Sequence, residues 1–192
     1  MRINKYLAKC GLGSRRKCDE FISSGKIKVN GKIVTDFSLN VSNDCFVQFN
    51  NKLINKSEDV TYILNKPRGY ICTKDDDLDR RIIYDLLPNK NNLFSIGRLD
   101  YDTTGILLVT NDGDLSYKLS HPKFNVDKKY YVFTDKKLSS TDIIKVRTGI
   151  RLDNDLLKAD IRFLEHINNG YFWDVILREG KNREIKRIFK YF

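Results

Sequence analysis

Over the first fifty positions, apolar residues fall into two short helical patterns and then a strand-like one. Ile3, Leu7 and Cys10 share one helical face across residues 2–10, and Arg2, Lys5 and Lys9 gather on another. Gly11 suits a C-cap. Ser14 is placed to N-cap a second helix that buries Cys18, Phe21 and Ile22 and stops at Gly25. Lys26-Ile27-Lys28-Val29 alternates polar and apolar, Asn30-Gly31 fits a two-residue type I′ turn, and Lys32-Ile33-Val34 returns, which predicts a β-hairpin.

Residues 50–59 are polar and turn-rich, so a linker is expected at 49–59, between a module at 1–48 and a larger domain at 60–192. In that domain Tyr62-Ile63-Leu64 predicts a buried strand, Pro67 and Gly69 a turn, and Tyr70-Ile71-Cys72 a further strand, with a short helix ending at Pro88. Later strands are expected at 93–96, 106–110, 129–134, 159–163 and 171–177, and helices near 115–119, 141–146 and 182–189. This mixture is α+β rather than a regular βαβ winding.

Charge adds what the pattern lacks. The 192 residues carry 35 basic and 25 acidic side chains, a net +10 that favours a polyanionic partner. Residues 1–34 hold nine basic and two acidic residues, so +7 of that charge sits in the first module. Arg15-Arg16-Lys17 fall in the first turn of the second helix, where cations oppose the helix dipole. A bound phosphate, not local stability, would explain them. No apolar run approaches the roughly 20 residues that span a bilayer, and the N-terminus lacks a signal-peptide core, so a cytoplasmic protein without a membrane partner is expected. Cys10, Cys18, Cys45 and Cys72 form no C-x-x-C pair, and only His121 and His166 could complete a metal site; reduced packing cysteines and no metal are expected.

The candidate chemistry lies in Gly97-Arg98-Leu99-Asp100-Tyr101-Asp102-Thr103-Thr104-Gly105, a polar loop between two apolar strands. Read on composition alone it is an ordinary β–β connection. A calcium loop is excluded, because position twelve, with Asp100 as position one, is Asn111 and not glutamate.

Two family resemblances give these patterns a meaning. Arg2-Ile3-Asn4-Lys5 with Leu7-Ala8, Gly11, Ser14-Arg15-Arg16 and Val29-Asn30-Gly31 resembles an S4 RNA-binding domain. That resemblance implies that two helices and a hairpin grip an RNA backbone, with Arg2, Lys5, Arg15, Arg16 and Lys17 as contacts. Gly97-Arg98-Leu99-Asp100, Thr103, Gly105 and Thr110-Asn111-Asp112-Gly113 are similar to the signature of pseudouridine synthases, in the small-subunit-type branch acting on ribosomal RNA. Leu64-Asn65-Lys66-Pro67-Arg68-Gly69, Lys128-Lys129-Tyr130 and Glu179-Gly180-Lys181-Asn182-Arg183-Glu184-Ile185-Lys186-Arg187 resemble further motifs of that family, in the family's order.

The resemblance implies a mixed, mainly antiparallel catalytic domain that breaks the ribose C1′–uracil N1 bond, turns the base and rebuilds the link through C5 without a cofactor. Asp100 matches the essential carboxylate, acting as nucleophile at C1′ or as base on the sugar. Lys186 matches a basic position that would keep it charged, so an Asp100–Lys186 ion pair is expected. Tyr130 matches the ring that stacks on the flipped uracil, its hydroxyl assisting loss of the C5 proton. Arg98 matches the arginine that occupies the space left by the extruded base, and Lys66 and Arg68 are expected to contact phosphate or shape the site. His121, Asp102 and Asp112 are expected to be structural. The implied partner is ribosomal RNA or a precursor particle, bound by a monomer.

Two departures stand out. Glu184 takes the place of the usual glutamine, adding a charge near Lys186, and the chain stops at Phe192 where relatives continue for several tens of residues, so either a naturally short or a C-terminally truncated catalytic domain is expected, with sheet edges or apolar faces uncovered. The rival reading is an RNA-binding or ribosome-assembly factor that does not turn over; Asp100, Tyr130 and Lys186 together argue against it. An S4 domain fused to a tRNA synthetase or methyltransferase finds no Gly-x-Gly-x-x-Gly fingerprint or Walker loop.

Overall fold

The computed structural model describes residues 1–42, 44–88 and 92–192. They form two compact units, Met1–Ser116 and Tyr117–Phe192.

The first unit opens with α1 (Ile3–Lys9) and α2 (Arg15–Ser23). The Ser14 hydroxyl accepts from Lys17 N at 3.2 Å, the N-cap read from the sequence. Strands β1 (Ile27–Val29) and β2 (Lys32–Ile33) meet at Asn30 and Gly31, whose φ angles of 49° and 82° make the two-residue turn. A second hairpin follows: β3 (Val47–Phe49) and β4 (Lys52–Leu53) turn on Asn50 and Asn51 and complete a sheet in the order β2-β1-β3-β4. The expectation of linker at 50–53 is thereby corrected. Ile3, Leu7, Cys18, Ile22, Ile27 and Val47 form a fully buried core here, each large aliphatic side chain contributing about 1.5–3 kcal/mol. Segment 54–59 is tied back to α1, since Ser57 N and Oγ both donate to the Lys9 carbonyl and Lys9 pairs with Asp59 at 3.2 Å.

Strands β5 (Thr61–Lys66), β6 (Phe94–Ile96) and β7 (Gly105–Thr110) make an antiparallel sheet in the order β5-β7-β6. Its inner face packs Leu107 and Val109 on Ile83, Tyr84, Leu87 and Leu93. The strand expected at 70–72 is absent. Ile71 spends its N–H on Arg81 O and its carbonyl on Ile83 N, leaving one isolated bridge to Ile82. The short helix expected before Pro88 is a 3-10 turn, Ile83–Leu86.

The α3 helix (Gly113–Ser120) leads to a 3-10 turn, Pro122–Phe124, and to β8 (Lys128–Thr134). Then come α4 (Ser140–Thr148), β9 (Ile150–Leu152), β10 (Asp155–Leu157), β11 (Asp160–Ile167), β12 (Gly170–Leu177) and α5 (Glu184–Tyr191). Strands β11-β12-β8 form an antiparallel sheet, and β9 pairs with β10 as a hairpin. Trp173, Val175, Val146, Leu157 and Ile188 form the core of the second unit, all fully buried. The Trp173 indole N–H donates to Thr134 Oγ1 at 2.8 Å, so its one polar atom is satisfied. The class is α+β with antiparallel sheets, as expected. Among the described residues no helix is long and apolar enough to cross a membrane.

Candidate active site

Period-two alternation along β5 sends Tyr62, Leu64 and Lys66 inward. Lys66, at the strand's end, is 0% exposed. Its ammonium donates to four main-chain carbonyls: Asp100 and Thr103 at 2.9 Å, Pro67 at 3.1 Å and Tyr101 at 3.4 Å. Three of those carbonyls belong to the 97–105 loop, which joins β6 to β7. Burial pulls the Lys66 ammonium below the ordinary lysine range, and Cys72, Asp102 and Asp100 oppose that shift. Hydrogen bonds from a charged donor are each worth about 1.5–3 kcal/mol, which is what makes a buried ammonium tolerable here.

Other contacts fix the same loop. Cys72 brackets Leu99, its thiol donating to Leu99 O at 3.3 Å while Leu99 N approaches the sulfur at 3.4 Å. Burial raises the Cys72 pKa, keeping it a neutral thiol able to donate. Gly69 N donates to Tyr101 O at 2.9 Å and Thr103 N to Asp100 O at 3.0 Å. The loop leaves β6 at Gly97 and enters β7 at Gly105, with φ of 77° and 128°, conformations that side-chain-bearing residues rarely adopt. Asp100 sits half-buried on this support; Arg98, two residues before it, and Arg68, two residues after Lys66, are exposed. Nearby in sequence, Arg80 closes its own loop on Asp76 through N, Nε and Nη2 at 2.8, 3.0 and 2.6 Å.

The far end of the β5–β7 ladder is fixed by the Thr-Asn-Asp-Gly segment. Asn111 Oδ1 accepts from Val60 N and Asn111 Nδ2 donates to Glu58 O, both at 2.7 Å. Thr110 Oγ1 donates to Val60 O at 2.7 Å, and Asp112 accepts from Asp114 N at 2.8 Å, a loop-shaping role as expected.

In the second unit, Tyr130 lies on the inward face of β8, opposite Val175 and half-buried against the core. Lys186 is half-buried on α5, and the start of that helix is anchored twice. The carboxylate of Glu184, only 4% exposed, accepts from Lys181 N at 2.9 Å. An anion at a helix N-terminus is favourable, so the glutamate that departs from the family pattern has a local use. Arg187 reaches the β9–β10 hairpin, donating to Asp155 at 2.7 Å, Leu152 O at 2.8 Å and Asp153 at 3.1 Å. Among the described residues, no cluster of three or more His, Cys, Asp or Glu side chains could hold a metal ion.

The family model for RNA pseudouridylate synthase matches residues 60–191, and the S4 domain model matches residues 1–43. The chain belongs to the RNA pseudouridylate synthase family. As an RNA pseudouridine synthase with an N-terminal S4 domain, it is 38% identical over 194 residues to the ribosomal large subunit pseudouridine synthase B of Bacillus subtilis (strain 168), covering 98% of this chain and 79% of that protein. The Haemophilus influenzae (strain ATCC 51907 / DSM 11121 / KW20 / Rd) protein of the same name is 32% identical, covering 98% of this chain and 56% of that one. A solved structure described as a pseudouridylate synthase superposes with a TM-score of 0.64 at 29% identity, over 99% of this chain and 82% of that one.

For this synthase, the residues picked from sequence divide by environment. Arg2, Arg15, Arg16 and Lys17 are exposed in the S4 domain, whereas Lys5 is held by Asp114 at 2.6 Å and Lys17 by Glu20 at 2.6 Å. The expectation of a phosphate contact at Lys66 is corrected: its four carbonyl bonds and complete burial leave the other expected role, shaping the site. His121 is structural, its Nδ1 accepting from Lys123 N at 3.2 Å. Sequence reasoning missed Cys72, Asn111 and Arg187 as positioning residues. Asn111 and Arg187 stand inside the family motifs, which was the available signal, and Cys72 lies outside them; the partners of all three are 27 to 53 residues away.

Proposed function

We propose that this synthase isomerises a specific uridine of large-subunit ribosomal RNA to pseudouridine. Residues 1–53, carried past the expected 48 by the β3–β4 hairpin, act as the S4 RNA-binding domain, 54–59 as the connection, and 60–192 as the catalytic domain. The substrate follows the names of the relatives matched over 98% of the chain. Asp100 is the reacting carboxylate, and the observation that supports it is the loop beneath it, fastened by Lys66 and Cys72 to a rigid sheet. A reacting group needs that kind of preorganisation, since small displacements cost rate steeply.

Tyr130 supplies the ring that stacks on the extruded uracil, and Lys186 the cation that pairs with the Asp100 carboxylate. Arg98 and Arg68, with Arg2, Lys5, Arg15, Arg16 and Lys17, meet the RNA. No cofactor takes part, because the isomerisation exchanges one glycosidic bond for another with no net oxidation or hydrolysis.

The test uses large-subunit ribosomal RNA transcribed in vitro, with pseudouridine mapped by carbodiimide modification and primer extension. Asp100→Asn and Asp100→Ala should abolish the new stop while RNA binding stays within about twofold, as expected of a group that acts on the transition state rather than on binding. Near wild-type turnover by either variant would sink the assignment of Asp100. A double-mutant cycle on Asp100 and Lys186, read by chemical denaturation, tests their expected pairing through its coupling energy.

A further inference from the structure

Lys123 lies outside the chemistry described so far, yet it is held at both ends. Its backbone sits in the 3-10 turn Pro122–Phe124, where Lys123 N donates to the His121 imidazole and Asn125, with φ 48°, closes the turn on Pro122 O. Its ammonium lies 4.8 Å from the Tyr117 ring centre and 4.7 Å from that of Phe124. Those rings meet edge-to-face at 5.5 Å and 89°, and His121 packs on Tyr117 at 4.9 Å. Tyr117 and Phe124 are nonetheless 44% and 41% exposed, so this is an outward-facing platform and not core.

Among the chain's other ring-bound lysines, Lys26, Lys56 and Lys137 each lie over a single ring, of Phe21 at 5.8 Å, Tyr6 at 5.3 Å and Phe163 at 5.0 Å. Lys17 lies over Phe21 but is paired with Glu20 at 2.6 Å, and Lys129 lies over Tyr131 but is paired with Asp174 at 2.9 Å. Lys123 contacts two rings and, among the described residues, no carboxylate within ion-pair distance. The one acidic residue of segment 117–128, Asp127, is taken by Arg178 at 3.2 Å, which leaves Lys118, Lys123 and Lys128 as the local charge. Aromatic faces attract the ammonium without neutralising it. A free lysine loses up to about 2 kcal/mol of rotamer freedom when it engages a ligand, and here much of that freedom is already gone.

We propose that Lys123, pinned by Tyr117 and Phe124, is a preorganised contact for a backbone phosphate of the substrate RNA, separate from the S4 domain. This rests on the ribosomal RNA reading above. A phosphodiester is the matching chemistry: a single anionic oxygen reaches an exposed point charge without any base being read.

The experiment measures Kd of the full-length chain for the large-subunit transcript from 50 to 300 mM KCl, on the order of the range where counterion release is read. Lys123→Ala should weaken binding roughly three- to tenfold at 150 mM and make the log Kd against log salt slope shallower by about 0.7–0.9, the increment for one phosphate contact. Lys123→Arg should restore the slope. Tyr117→Leu with Phe124→Leu keeps the charge, so the slope should stay and Kd should rise. An unchanged slope in Lys123→Ala, or a slope that Lys123→Arg fails to restore, overturns the proposal. Uridine isomerisation by the wild type, scored in parallel, separates the two readings. Turnover with an unaltered slope removes this contact alone; a shifted slope without turnover removes the ribosomal substrate and keeps the contact.

Discussion

The Lys66 ammonium donates at 2.9 Å to the main-chain carbonyl of Asp100, so the carboxylate proposed to react is held through its backbone by a fully buried cation. The same ammonium reaches Thr103 O, three residues further along, at 2.9 Å. One side chain therefore sets the path of the loop on both sides of Tyr101.

Replacing Lys66 by Met keeps the aliphatic stem and removes the charge. The Pro67 and Thr103 carbonyls then lose their ammonium donor, a cost of about 1–3 kcal/mol for each buried group left unpaired. Chemical denaturation should report the lost stability. At saturating RNA, kcat should fall about 10- to 100-fold while Kd holds, as expected of a displaced reacting group. Normal turnover in a stable Lys66→Met protein would show that the loop needs no internal cation.

The Asp76–Arg80 clasp gives a pH prediction. Hydrogen bonds from the Arg80 side chain and backbone hold the Asp76 carboxyl at about 2, below the usual 3.8. A folded-state pKa below the unfolded one means that the contribution to stability is complete above about pH 4 and is lost as the pH falls toward 2. A carbon-detected NMR titration should find the Asp76 midpoint near 2, rising toward but not reaching 3.8 in Arg80→Ala, which keeps the backbone N–H donor. A wild-type midpoint already near 3.8 would mean that the clasp is open in solution.

In the S4 domain, Arg15 and Arg16 should outweigh Lys17, because Lys17 is already engaged by Glu20 at 2.6 Å. Arg15→Ala with Arg16→Ala should flatten the salt slope of RNA binding by about 1.4–1.8, two phosphate contacts' worth. Lys17→Ala should change it by less than either arginine alone. Equal effects at the three positions would contradict the pairing.

Much of this was readable from local chemistry. Ser14, Asn30-Gly31 and the 97–105 loop carry their conformations in neighbouring residues, and each forms as the sequence suggests. The missed strands share one cause. Asn50-Asn51 and Asp153-Asn154 look like polar linker, yet Asn50, Asn51 and Asp153 adopt positive φ and close hairpins β3–β4 and β9–β10. Reading 62–64 simply as a buried strand hides a period of two that continues to Lys66 and points it inward. Arg187 stands in a family motif, but its anchor at Asp155 is 32 residues away and nothing in the helix pattern names it.

The β5–β7 ladder is fixed at one end by Asn111 and Thr110 and at the other by Lys66, with Lys66 opposite Gly105 in register. A slip of β5 by one residue would turn Lys66 to solvent and Ile63, now 75% exposed, into the core. Descendants of this gene should therefore vary in length within the 73–81 loop, while the six-residue strands on either side of the ladder stay at constant count.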